Sequence, residues 1–213
     1  MKKGLTELVF ILDRSGSMEG LEADTIGGFN SMIRRQKEQP GECLVSTVLF
    51  DTYRQTLHDR LTLQNVPNMT ASDYCVRGCT ALVDAIGSSI HHIASIHKYI
   101  REEDVPERTM FVITTDGMEN ASREYTAQQV RDMIKKQESC GWEFLFLGAN
   151  MDAVSTAASF GIHKDRAATY TNDSSGIATN YEAISSVISC FREKAPMTEN
   201  WKDMIDKDHS GRD

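Results

Sequence analysis

Long hydrophobic runs are missing from this 213-residue chain: the longest near the start, Leu8 to Leu12, stops at Asp13, far short of the roughly 18 residues of a membrane-spanning helix. No transmembrane segment is expected. The same short run behind Lys2 and Lys3 is also below the ~7 to 15 apolar residues of a secretory signal, so the sequence predicts an intracellular, cytoplasmic protein. Cysteines are few, odd in number and scattered: Cys43, Cys75, Cys79, Cys140 and Cys190 contain one CxxxC and nothing else of regular spacing. That is no disulfide framework and fits reduced thiols. Proline is scarce at 4 residues, while 40% of the chain is hydrophobic and 25% charged, a balance that excludes disordered and fibrous classes. Positive charge is in deficit, with 23 Lys+Arg against 31 Asp+Glu and a net charge of −8, which opposes sequence-independent attraction to a nucleic-acid backbone.

At roughly 100 to 200 residues per domain, the length allows one core with short appendages. Four nearly continuous apolar runs, Leu8–Leu12, Leu44–Phe50, Met110–Ile113 and Phe144–Leu147, read as strands covered on both faces and hence as parallel and central. Between them, Ile26, Phe29 and Ile33, and then Leu82, Ile86, Ile90 and Ile93, recur at helical spacing. Thr126 with Gln129 forms a capping box for a third helix that buries Val130, Met133 and Ile134, and Gly141 ends it. A short helix with Ala153, Ala157 and Phe160, a weak strand at 167–170, and a helix from about Ser175 carrying Ile177, Tyr181, Ile184, Ile188 and Phe191 complete the alternation. Residues 53–63 fit an antiparallel edge strand beside the second run. The expected fold is a single doubly wound, Rossmann-like α/β domain over residues 5–193, mostly parallel with one antiparallel edge strand and helices on both faces. Residues 194–213 read as a polar, frayed tail, with Trp201 and Met204 the exceptions able to dock.

Ligands of open α/β sheets collect beyond the carboxyl ends of the strands. The first strand ends there in Asp13-Arg14-Ser15-Gly16-Ser17, a carboxylate and two hydroxyls in one tight turn. Met110–Ile113 runs on through Thr114 and Thr115 to Asp116-Gly117, a second carboxylate at a strand end. Gly78-Cys79-Thr80 precedes the second helix, so the Thr80 oxygen either caps that helix or points into the same crevice. An oxygen-only set suits hard cations, with Mg²⁺ the first choice and Mn²⁺ or Ca²⁺ the alternatives.

DxSxS after the first strand, GxT before a helix and TDG after a central strand, in that order, resemble the von Willebrand factor A domain, of the stand-alone intracellular type found in bacteria and phages. The resemblance spans about residues 5–193. It implies a metal-ion-dependent adhesion site, with Ser15, Ser17 and Thr80 as direct ligands and Asp13 and Asp116 direct or water-mediated. It further implies a protein partner whose Asp or Glu completes the metal shell. Cys79 stands where a second glycine is more usual, and Arg14 fills the variable position of DxSxS.

The expected function is therefore a non-enzymatic, metal-dependent protein-binding module. The competing reading is a Mg²⁺-dependent hydrolase or phosphoryl-transfer enzyme in the same crevice. Against it, Ser15 occupies the place of the second Asp of a haloacid-dehalogenase-type phosphatase, and neither a GxxxxGKS/T loop nor a GxSxG elbow occurs. A third reading is a scaffold that binds through its helices, the oxygen cluster holding no ion. Cys75 and Cys79 lack a second ligand pair and read as structural thiols rather than a zinc site. His58, His163 and His209 are expected at the surface. Glu119 lines the site's rim or is a solvated loop charge, and Arg14 either faces the crevice or pairs locally with Glu19.

Overall fold

Side chains of a strand point alternately to its two faces, so an uninterrupted apolar strand must have cover on both. The computed structural model, which describes residues 1–197 and 199–211, supplies that cover. Its strands are β1 (Lys2–Asp13), β2 (Glu42–Phe50), β3 (Arg54–Thr62), β4 (Pro106–Thr115), β5 (Trp142–Ala149) and β6 (Ala167–Tyr170), with helices α1 (Glu22–Lys37), α2 (Leu82–Tyr99), α3 (Ala127–Glu138), α4 (Ala153–Ser159), α5 (Ser174–Arg192) and α6 (Asp203–Ser210). The strand order is β3-β2-β1-β4-β5-β6. Neighbours run parallel except β2 and β3, which pair antiparallel at the edge as the sequence predicts.

Leu8, Phe10 and Leu12 of β1 share one core with Phe29 and Ile33 of α1 and Ile184 and Ile188 of α5. The intervening Val9 and Ile11 share the other with Leu82, Ile86 and Ile90 of α2 and Val130 and Ile134 of α3. β4 divides in the same way, Met110 and Val112 on one side and Phe111 and Ile113 on the other. The central strands are thus buried on both faces, the condition for a parallel sheet in an α/β protein. The capping box of α3 is present: Gln129 N donates to Thr126 Oγ1 at 3.2 Å and Thr126 N donates to Gln129 Oε1 at 2.8 Å.

Two expectations need correction. The segment beyond residue 194 is not frayed over its described part: Ile205 of α6 is buried and Trp201 Nε1 donates to the carbonyl of Asp165 at 2.7 Å. The apolar residues Met197, Trp201 and Ile205 pack on the α5 side of the core, a spacing too sparse to stand out in a polar sequence, while Met204 stays exposed. His58 is not at the surface either. It is buried on β3, stacked on Phe29 with centroids 6.4 Å apart and bonded through Nδ1 to Thr47 Oγ1 at 3.0 Å. Burial lowers its pKa, partly countered by Asp73. His163 is exposed and His209 half-buried.

Candidate metal centre

The chain leaves β1 through α1 to join β2 on one side and, beyond the edge hairpin, returns to β4 on the other, so the strand order reverses between β1 and β4. A crevice opens outside the carboxyl ends at such a switch point. β1 ends at Asp13 and β4 at Thr115, which delivers both predicted carboxylates to that crevice.

The five predicted side chains come together there. Ser15 Oγ lies 3.2 Å from Ser17 Oγ, and Thr80 Oγ1 donates to Ser15 Oγ at 3.0 Å. Ser17 Oγ donates to Asp116 Oδ1 at 2.6 Å. Asp13 accepts through Oδ1 from Ser15 N at 2.7 Å and through Oδ2 from Thr115 Oγ1 at 2.6 Å. The space at the centre is kept by Gly117: a Cβ there would sit 2.8 Å from Thr80 Oγ1, 3.3 Å from Ser17 Oγ and 3.8 Å from Ser15 Oγ. Three hydroxyls from two loops, Ser15 and Ser17 of one and Thr80 of the other, therefore converge on one small volume. The Thr80 alternative is resolved, since the residue preceding α2 is Ala81 and it offers no side-chain cap, leaving the Thr80 hydroxyl in the crevice.

Backbone bonds tie the loops together. Gly16 N donates to Gly78 O at 3.2 Å, Arg77 N to Arg14 O at 3.0 Å, and Asn120 N to Thr80 O at 3.1 Å. Gly78 has φ +70°, and a Cβ on it would come within 2.7 Å of Thr52 Oγ1, so both conformation and packing require glycine. Cys79, in place of a second glycine, is exposed and only its backbone N–H is used, donating to Thr52 Oγ1 at 2.9 Å.

Adjacent oxygens of an octahedron with metal–oxygen bonds of about 2.0 to 2.1 Å stand about 2.9 Å apart, from the √2 ratio of edge to bond. The 3.2, 3.0 and 2.6 Å separations bracket that edge. The electrostatics fit as well. Burial pushes the Asp13 carboxyl up to about 6, against the bonds from Thr115 and Ser15 that favour its charged form, with Asp116 adding a small further rise. Burial also raises Asp116 despite its bonds from Ser17 and Asn172. Two desolvated carboxyls beside neutral hydroxyls are a set that a cation would relieve. Among the described residues no three His, Cys, Asp or Glu side chains gather as ligands, and Cys75 and Cys79 are exposed thiols. The donors are all oxygen, which suits a hard divalent cation.

Several residues at the site escape a sequence reading. Asn172, in the loop after β6, donates through Nδ2 to Asp116 Oδ2 at 2.9 Å, while its buried Oδ1 has no partner. The Tyr74 hydroxyl donates to the carbonyl of Asp13. Glu119 takes neither expected role: its carboxylate accepts from Val83 N at 2.8 Å and from Ala121 N and Ser122 N at 2.9 and 2.7 Å, which fastens the TDG loop to the first turn of α2. Arg14 neither faces the crevice nor meets Glu19. It is buried and pairs with Asp51 of the β2–β3 turn, Nε to Oδ2 at 2.8 Å. Although burial raises the Asp51 pKa, bonds from Tyr53 N–H, Arg77 and Arg14 hold it below the usual carboxylate range.

No family model and no curated protein matches the chain. Solved structures do. The von Willebrand factor domain of the type V pili tip protein Mfa5 from Porphyromonas gingivalis aligns with a TM-score of 0.63 at 10% identity, over 91% of this chain and 98% of that one. Proximal thread matrix protein 1 from the mussel byssus, solved with a zinc-occupied MIDAS motif, aligns with a TM-score of 0.57 at 13% identity over 88% of this chain. The ArnB paralog VWA2 from Sulfolobus acidocaldarius aligns at 0.53 and 19% identity over 86% of this chain. This chain spans about half the length of the mussel and Sulfolobus proteins, 46% and 45%. Its six-stranded, mostly parallel sheet with one antiparallel edge strand and helices on both faces is the von Willebrand factor A fold.

Proposed function

We propose that this chain is a metal-dependent protein-binding module in which Asp13, Ser15, Ser17, Thr80 and Asp116 hold a divalent cation, Mg²⁺ in first place and Mn²⁺ or Ca²⁺ as alternatives. The partner would be a protein whose Asp or Glu is ligated by the bound ion. The observation that carries this reading is the convergence of three neutral hydroxyls on the space kept by Gly117. Neutral donors leave most of a cation's charge uncompensated, so the bound ion would supply Lewis acidity for an external carboxylate. The chain's own part is to hold the geometry: Thr115 and the Ser15 N–H orient Asp13, while Asn172 and Ser17 orient Asp116.

Ligation rather than catalysis is favoured by the donor set. Ser15 stands where a haloacid-dehalogenase-type phosphatase would need its second Asp. The zinc-occupied motif of the mussel protein supports a divalent ion in a centre of this fold. A cytoplasmic site of action is proposed from the sequence, whose five scattered cysteines form no disulfide framework.

The test is capture of partners from the native cell by wild type in Mg²⁺, by wild type in EDTA and by Asp13→Ala. A partner retained only by wild type in Mg²⁺ is the expected result. Equal retention in all three removes the metal from the mechanism, and Mg²⁺-dependent phosphoester turnover lost in Ser15→Ala would replace ligation with catalysis.

A further inference from the structure

Beside the donor cluster lies a second charged group with no role in holding a metal. Asp51, 1% exposed, accepts at a single oxygen from two guanidiniums, Arg14 Nε at 2.8 Å and Arg77 Nε at 3.1 Å, while its other oxygen accepts from Tyr53 N at 2.9 Å. Arg14 is itself 2% exposed. Its Nη1 donates to Gln55 Oε1 at 2.7 Å, and its Nη2 is buried without a partner. One buried carboxylate thus faces two positive charges, leaving a surplus of one. That surplus belongs to Arg77, whose side chain is 58% exposed.

Its position is fixed at both ends. The Arg77 backbone N–H is bonded to Arg14 O, and the next residue, Gly78, to Gly16 N, so Arg77 begins three residues before Thr80 and directly alongside DxSxS. The Nε–Asp51 bond anchors one edge of the guanidinium, and among the described residues no carboxylate other than Asp51 pairs with it. A planar fork held by one edge has lost part of its rotamer freedom in advance, which lowers the ordering cost of binding an anion. One of the few large apolar side chains left in solvent adjoins it: Tyr53, 74% exposed, whose backbone N–H donates to the same Asp51.

Resting on the proposed metal-bridged binding, we infer that Arg77 is a specificity-determining residue that selects partners carrying two carboxylates in one segment, one for the metal and a second for the Arg77 guanidinium. The −8 charge of the chain would otherwise repel such an acidic segment. The local surplus of positive charge on this rim reverses that bias where the partner docks.

The experiment uses capped Gly/Ala peptides containing a single Glu, or two Glu placed one, two or three residues apart, titrated into the full chain in Mg²⁺ and in EDTA. Wild type in Mg²⁺ is expected to bind at least one of the paired peptides about 3- to 10-fold more tightly than the single-Glu peptide, the scale of a partly exposed charge-assisted pair. Arg77→Gln is expected to erase that gain, keep the single-Glu affinity, and melt within about 4 °C of wild type. The inference is overturned if no pair gains affinity, or if Arg77→Gln retains the gain. Failure of the metal reading looks different: single-Glu binding would survive EDTA unchanged, and Arg77→Gln would still decide whether a second carboxylate is read. Absence of binding by every peptide in Mg²⁺ overturns both.

Discussion

Gly117→Ala crowds the proposed metal centre without substituting any of its five oxygen-bearing residues. Gly117 does not adopt the left-handed conformation, so alanine meets no backbone penalty. The added methyl, however, would lie 2.8 Å from Thr80 Oγ1 and 3.3 Å from Ser17 Oγ, and the Thr80 hydroxyl must swing away. In wild type, a cation at 100 times its Kd stabilises the fold by about 2.7 kcal/mol. For a chain of this size each kcal/mol is about 2–4 °C in Tm, so a rise of roughly 5–11 °C is expected. Losing one donor is at least as severe as losing an outer-shell contact, about 10- to 100-fold in affinity. At the 100-fold end the same metal concentration only equals the new Kd, leaving about 0.4 kcal/mol, or roughly 1–2 °C. Differential scanning calorimetry of metal-stripped wild type and Gly117→Ala, each with and without saturating Mg²⁺ or Mn²⁺, measures this. The metal-free melts should agree within about 1 kcal/mol. A Gly117→Ala protein that keeps the whole metal-induced rise would refute the cradle.

Three further outcomes are expected. Asp51→Ala leaves Arg14 buried and unpaired, at a cost of about 3–5 kcal/mol; a denaturant midpoint equal to wild type would mean that the pair is not desolvated. His58 has a pKa below that of the unfolded chain, about 6.5. Between the two values the unfolded chain takes up the proton and the native state does not, so the His58 contribution to stability is complete above about 6.5 and is lost as pH falls through the native pKa. Chemical denaturation at pH 7.5 and 5.5 should show a smaller decline in His58→Gln than in wild type, and equal declines would exclude His58 as a source. Gly28→Ala places a methyl 2.3 Å from the buried ring of Tyr181, where α1 meets α5; overpacking should cost about 1–3 kcal/mol, and an unchanged Tm would show that the ring moves freely.

The strands could be read from the sequence because coverage on both faces leaves an unbroken apolar run, as in Leu8–Leu12 and Phe144–Leu147. Thr126 and Gln129 marked the start of α3 because their reciprocal bonds are local. The clustering of Asp13, Ser15, Ser17, Thr80 and Asp116 is legible for a related reason: each sits in a short motif at a strand or helix end, and topology brings those ends together. Long-range polar partners leave no such trace. Asp51 meets Arg14 across 37 positions and Asn172 meets Asp116 across 56, and neither separation has a periodicity to expose it. The burial of His58 is not legible because β3 is mostly exposed, so one inward residue on an edge strand does not alter its polar pattern. α6 leaves little trace in the sequence because Trp201 and Ile205 gain their burial from the α5 face of the core, which a local window does not contain.

Isothermal titration calorimetry of Mn²⁺ and Mg²⁺ into the chelator-stripped protein, beside Ser15→Ala and Asp116→Ala, addresses the metal centre most directly. One equivalent of saturable uptake by wild type, sharply weakened in both variants, is the expected result. No uptake by wild type, or the same uptake in all three proteins, would contradict it.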